Sequence, residues 1–287
     1  MGNSSLLDPV EGVEPTKGSY YLWRYAPNKG AAALFLLLFL ASFFYICWRI
    51  YKTRTRFCIV FAIGCFYKQP IAHIIVEVIG YGARISSANQ TGRIITYTIQ
   101  SMYILVAPAL FAASIYITLG RIIISVRGEK YSLIRPTRLT KTFVTGDILT
   151  FMIQGGAAGI IVVQNATLAK WGERIVILGL IVQVLLFGLF TAIAVVFHHR
   201  LRKSATTDSF NSLIPWESTL YMLYIVSALI IVQSIFRVVE YAQGQTGYCL
   251  SHEWTIYVFD SLLMFLVAVL FSWRFPSGLK PREFIPV

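Results

Sequence analysis

The chain is 287 residues long, 56% hydrophobic and 13% charged, with a mean hydropathy of +0.66. Soluble domains carry roughly one quarter charged residues, so a water-soluble fold is excluded and an integral membrane protein remains. The net charge of +12 sits in short segments between long apolar runs, the placement that orients a membrane protein and not that of a nucleic-acid surface, and the chain has neither a phosphate-cradling Gly-rich loop nor a dinucleotide fingerprint.

Apolar runs near the roughly 20 residues that a bilayer core demands occur seven times, at 30–48, 57–82, 95–124, 143–163, 175–196, 219–239 and 254–273. The expected fold is an all-α membrane protein, a bundle of seven transmembrane helices. It divides into an extracellular N-terminal segment 1–29, the transmembrane domain 30–274 and a cytosolic tail 275–287. The N-terminal segment is polar and lacks a cleavable signal pattern, so the first span reads as an uncleaved anchor. Tyr20, Tyr21 and Trp23 read as interfacial anchors.

In the second span Lys68-Gln69-Pro70 marks a kink, because Pro70 removes a backbone hydrogen bond. His73, Glu77, Tyr81 and Arg84 follow at intervals of four, four and three, one narrow helical face at about 100° per residue. The third span carries Gln100 and Tyr103 early, Ala107-Pro108-Ala109 midway and Arg121 at its end. The fourth aligns Asp147, Thr150 and Gln154, then offers Gly155-Gly156-Ala157-Ala158-Gly159 as a surface for close helix packing. Gln183 marks the fifth span. Gln233, Arg237, Glu240 and Tyr241 form a stripe on the sixth, and Glu253, Tyr257 and Asp260 one on the seventh.

Lipid satisfies none of these groups, so the stripes should converge on the bundle interior. A charge at membrane depth costs about 2.5–3.5 kcal/mol on insertion scales, and is kept only if it pairs, faces a wet cavity or does work. Two readings follow. The charges are structural ion pairs that fix helix register, with Arg237 and Glu240 as an i,i+3 pair, or the acids line a cavity that binds a cationic head group or exchanges protons.

Basic residues set the orientation. The regions after spans one, three, five and seven hold Arg49, Lys52, Arg54, Arg56; Arg121, Arg127, Lys130, Arg135, Arg138, Lys141; Arg200, Arg202, Lys203; and Arg274, Lys280, Arg282. The other side holds Lys17, Arg24, Lys29, Arg84, Arg93, Lys170 and Arg174, so the positive-inside rule puts the N-terminus outside and the C-terminus in the cytosol. The three N-glycosylation triplets, at Asn3, Asn89 and Asn165, fall on the side assigned to the exterior. Cys249 is the one cysteine in the outer loops, so no outer-loop disulfide is expected within a chain. Glu77, Arg84, Arg237, Glu240, Glu253 and Asp260 then belong to the outer half, and Asp147 and Arg121 nearer the cytosol. His73 with Glu77, and His252 with Glu253, are weak metal candidates. His198 and His199 lie on the cytosolic side, which leaves no three-His set, and neither a metal nor an enzyme activity is expected.

These motifs together resemble the fungal RTA-like family, also called the lipid-translocating exporter family. The resemblance is carried by Glu77-Val-Ile-Gly80-Tyr81-Gly-Ala-Arg84, by Gln100 with Ala107-Pro108-Ala109 and Ala112-Ala113-Ser-Ile-Tyr116 through Gly120-Arg121, and by Asp147 with Gln154-Gly155-Gly156. It continues through Gly179-Leu180 with Gln183, Phe236-Arg237-Val-Val-Glu240-Tyr241, and Glu253-Trp254 with Tyr257 and Asp260. Gln233 departs from the Arg that the family's sixth-span pattern leads one to expect.

The resemblance implies a multi-pass protein, expected in the plasma membrane, that moves amphiphilic lipids such as sphingoid bases and gives resistance to toxic amphiphiles. Glu77, Tyr81, Arg84, Gln100, Tyr103, Arg237, Glu240, Glu253, Tyr257 and Asp260 are the expected substrate-binding set. Asp147, Gln154, Gln183, Arg121, Pro70 and Pro108 are expected to act in structure or gating. The alternatives are a seven-helix receptor or regulator of lipid or stress signalling, with a cytosolic partner at the basic loops, and a porphyrin or haem binder with His73 or His252 as axial candidates. Membrane lipids and amphiphilic small molecules are the partners both transport and sensing imply.

Overall fold

The computed structural model describes residues 9–10, 12–16, 21, 23–52, 69–88, 90–161, 166–203, 216–244 and 247–273. Among them there is no strand. The long helices are α1 (Lys29–Lys52), α2 (Gln69–Ser87), α3 (Ile94–Ser125), α4 (Pro136–Ile161), α5 (Ala166–Lys203), α6 (Trp216–Ala242) and α7 (Glu253–Trp273). A single helical turn, Tyr248–Ser251, precedes α7.

Five of them, α1, α3, α5, α6 and α7, are long and apolar enough to cross a membrane. The chain is an integral membrane protein. α2 is described only from Gln69 onward, so most of the apolar run before its polar stripe lies outside the described residues. α4 is diluted by Thr137, Arg138, Thr140, Lys141, Thr142, Thr145 and Asp147. At 38 residues α5 is about 57 Å long, beyond the roughly 30 Å hydrocarbon core, and its basic end at Arg200, Arg202 and Lys203 reaches the polar side.

Helices adjacent in sequence pack side by side from α1 to α7, and α7 returns to α1. α3 runs through the middle, touching α2, α4, α5 and α6, and is the most buried of the five apolar spans. Its Pro108 is buried within one continuous helix. Phe111, Ile115, Tyr116, Leu119, Ile122 and Ile123 on α3 join Phe39, Phe190, Phe197 and Leu220 in one apolar core.

Part of the expected run packs closely: a Cβ on Gly155 would sit 3.5 Å from Met102 of α3, and Ala157 is buried with Val176 and Leu180 of α5. A Cβ on Gly156 would meet nothing within 4 Å, whereas one on Gly179 of α5 would sit 2.8 Å from Gln154 Cγ on α4. Gly80 of α2 lies against Tyr103 and Ile104 of α3.

The start of α1 is tied to the start of α7. Asn28 caps α1, its Oδ1 accepting from Gly30 N at 2.8 Å and Ala31 N at 3.3 Å. The Asn28 backbone N–H in turn donates to both Glu253 oxygens, at 2.9 and 3.0 Å.

Candidate functional site

The polar stripes of α2, α6 and α7 meet at the end of the bundle where α1, α3 and α7 begin, here the first end. They form two linked clusters. In the upper one Arg84, fully buried at 0% exposure, makes a 2.7 Å ion pair with Glu253 Oε1. Its Nε donates to the Tyr257 hydroxyl at 3.1 Å and its Nη2 to the Tyr25 hydroxyl at 2.9 Å. Tyr257 donates onward to Glu253 Oε1 at 3.0 Å. The guanidinium also faces the rings of Trp23, Tyr25 and Tyr257, 5.2–5.7 Å from their centroids.

In the lower cluster Arg237 bridges two acids, with 2.8 Å to Glu240 Oε2 and 2.6 Å to Asp260 Oδ2. Gln233, fully buried, donates to the other Asp260 oxygen. Glu77 is 1% exposed, within electrostatic reach of Asp260 and Arg237, and its Oε2 has no hydrogen-bond partner. Tyr81 stacks on Phe35 and Phe39 and shares a hydrogen bond with Ser261.

Residues Tyr257–Leu262 of α7 form a π-helical turn. Wider than an α-turn, it presents the neighbours Asp260 and Ser261 inward together, one to α6 and the other to α2. Ser261 Oγ donates to Ile256 O, five residues back.

Beside the clusters lies a cavity of about 80 Å³, lined among others by Trp23, Tyr97, Gln100, Arg237, Glu240 and Tyr241. Four buried atoms of those residues lack partners: Gln100 Oε1, Glu240 Oε1, Arg237 Nε and Trp23 Nε1. Orphaned polar groups on a cavity wall call for water or a ligand. The residues of the expected binding set thus distribute unevenly. Gln100, Arg237 and Glu240 reach the cavity, while Arg84, Glu253 and Tyr257 are bound to one another above it. Glu77, Tyr81 and Asp260 lie among the helices, and Tyr103 is half-buried beside Gly80.

Four contributors take places that the sequence did not show. Trp23 is no lipid-facing anchor: it is 4% exposed, edge-on to Tyr97 at 5.3 Å. Tyr25 and Asn28 join it in closing the first end. Burial raises the Tyr25 hydroxyl above its ordinary pKa, with the Arg84 charge pulling the other way. Ser261 was hidden because a spacing of three and four from Glu253 fits an α-turn as readily as a π-turn.

The residues expected in gating lie farther along the bundle. Asp147 Oδ2 accepts the Tyr116 hydroxyl at 2.9 Å, and Gln154 Nε2 donates to Gln183 Oε1 at 3.3 Å. Arg121 is half-buried near the end of α3. His252 is exposed, stacked on Tyr248 at 3.9 Å with Nδ1 near the Tyr248 carbonyl, and so faces away from the clusters. Among the described residues no three His, Cys, Asp or Glu side chains form a metal-binding group. Lys68, Asn3, Asn89, Asn165 and the side chains of Pro70 and His73 lie outside the described residues.

Comparison with known proteins gives the same direction as the motifs. The family model described as RTA1 like protein matches residues 71–282. Protein RTA1 of Saccharomyces cerevisiae is 34% identical, covering 91% of this chain and 86% of its own length. Protoporphyrin uptake protein 1 of the same yeast is 31% identical, covering 91% and 93%. Sphingoid long-chain base transporter RSB1, also from that yeast, is 24% identical, covering 68% and 60%. No solved structure matches. The chain therefore belongs to the RTA1 like protein family.

Proposed function

We propose that this protein is a translocator of cationic amphiphilic lipids, such as sphingoid bases, in the plasma membrane, and that it gives resistance to toxic amphiphiles. In this reading seven helices span the bilayer with the N-terminus outside, and the clusters at the first end occupy the outer half. The name of the sphingoid long-chain base transporter, 24% identical, supports the substrate class.

The observation that carries the reading is a charge mismatch. Among the described residues of the two clusters, Glu77, Glu240, Glu253 and Asp260 stand against Arg84 and Arg237, so with every group ionised the acids there outnumber the guanidiniums by two. Counting the half-buried Arg24 on the cavity wall still leaves the sum negative. Unmatched buried charge is costly. An ammonium head in the cavity, beside Glu240 Oε1 and Gln100 Oε1 and between the rings of Trp23, Tyr97 and Tyr241, supplies the missing cation and finds π-faces as walls.

The same mismatch separates this reading from porphyrin uptake, despite the 31% identity to the protoporphyrin uptake protein. A dicarboxylate would add negative charge to a site that already has too much. The test is flip of a labelled sphingoid base across liposomes holding the purified protein. Acceleration over empty liposomes, slowed about tenfold or more by Glu240→Gln, is expected, since a hydrogen bond to a charged group contributes about 1.5–3 kcal/mol. Flip no faster than in empty liposomes would overturn the proposal.

A further inference from the structure

Asp147 stands apart from the clusters just described. It lies on α4 with 3% exposure, facing α3. One carboxylate oxygen, Oδ2, accepts the Tyr116 hydroxyl, and the other, Oδ1, is buried without a partner. Tyr116 is itself fully buried, its ring held among Phe143, Phe187 and Phe190 with centroids 5.5, 6.0 and 4.4 Å away.

Among the described residues no basic side chain lies within ion-pair distance of Asp147, and the Tyr116 hydroxyl of α3 is the one titratable group acting on it. The α4 and α5 side chains that surround the Tyr116 ring, Phe143, Phe187 and Phe190, carry no charge. Thr150 has its hydroxyl proton engaged with the Gly146 and Asp147 carbonyls. A structural role alone needs no ionisable group here, because an asparagine accepts the same Tyr116 hydrogen bond without the cost of a charge at membrane depth.

We propose that Asp147 is a proton-binding site, with Oδ1 as the position that gains and loses the proton. Uptake from water converts carboxylate to carboxylic acid, and release returns the proton to water; no electrons move and no other bond changes. A metal cation is a poorer occupant. Hard cations of the calcium type take about six to eight oxygen ligands, and among the described residues the Tyr116 hydroxyl is the oxygen that contacts this carboxylate. Tyr116 shares α3 with Gln100, on the far side of Pro108, so the proton site and the cavity wall stand on one helix.

Infrared difference spectroscopy on the full chain in liposomes reads the proton directly, between about pH 4 and pH 9. A pH-dependent carboxylic C=O band is expected in the native protein, absent in Asp147→Asn, with its midpoint displaced in Tyr116→Phe. Asp147→Glu should keep a titrating band at a different frequency, which decides the matter if Asp147→Asn fails to fold. Identical carboxyl changes in the native protein and Asp147→Asn, or in the native protein and Asp147→Glu, would overturn the proposal. The measurement involves no transport, so it stands or falls separately from the proposed function.

Discussion

Arg84 closes the first end of the bundle because a guanidinium presents several donors in one fixed plane. Its fork ties α2 to Glu253 and Tyr257 on α7 and to Tyr25 of the N-terminal segment, which the single point charge of a lysine cannot do. Arg84→Lys keeps the charge but gives up most of these bonds. With roughly 1.5–3 kcal/mol for each hydrogen bond to a charged group, a clear fall in the melting temperature of the detergent-solubilised protein is expected. Unchanged melting would show that the fork holds nothing. Truncating Glu253 to Ala should be costlier, about 3–5 kcal/mol, because it strands a buried cation. Arg84 was readable as a buried charge from its place on the α2 stripe. Its partner Tyr25, 59 residues away, was not, since no periodicity links an irregular segment to a helix.

At the scale of the helix, two features decide how the stripes meet. The π-turn at Tyr257–Leu262 lets α7 serve Arg84 above and Arg237 below from one continuous helix. Deleting Val258, which is exposed, should restore α-helical spacing and rotate the two parts of α7 by roughly 100°. One of the two ion pairs is then lost, and cooperative unfolding should occur at a distinctly lower temperature, whereas native melting would refute a role for the turn. Small residues give a paired prediction. Gly179→Ala forces Gln154 aside, at about 1–3 kcal/mol, while Gly156→Ala meets open space and gains up to about 1 kcal/mol of helix propensity. Thermal denaturation of both variants separates them. The helices and the inward faces of α2, α6 and α7 were legible because polar residues recurred at three and four. Which glycine meets a neighbour was not, because composition marks small residues without saying what lies opposite.

For the whole molecule, the bundle gathers four acids and two guanidiniums at one end and places a buried acid, Asp147, farther along. The excess of basic residues in alternate loops sets the proposed orientation. An epitope tag at the N-terminus should be reached by antibody on intact cells, and one at the C-terminus only after permeabilisation; the reverse pattern would place the clusters in the inner half. The cavity itself had no signature in the sequence, since its wall draws on Trp23, Tyr97 and Leu250 as well as the stripes. What makes it a binding site in this account is unmatched negative charge, and that can be measured without transport. Purified protein titrated with a long-chain primary amine, and with the alcohol and carboxylic acid of equal chain length, reports binding through the fluorescence of Trp23 in the cavity wall. The account predicts that the amine binds well ahead of both analogues and weakens about tenfold or more in Glu240→Gln; equal affinity for the three, or an amine indifferent to that substitution, would contradict it.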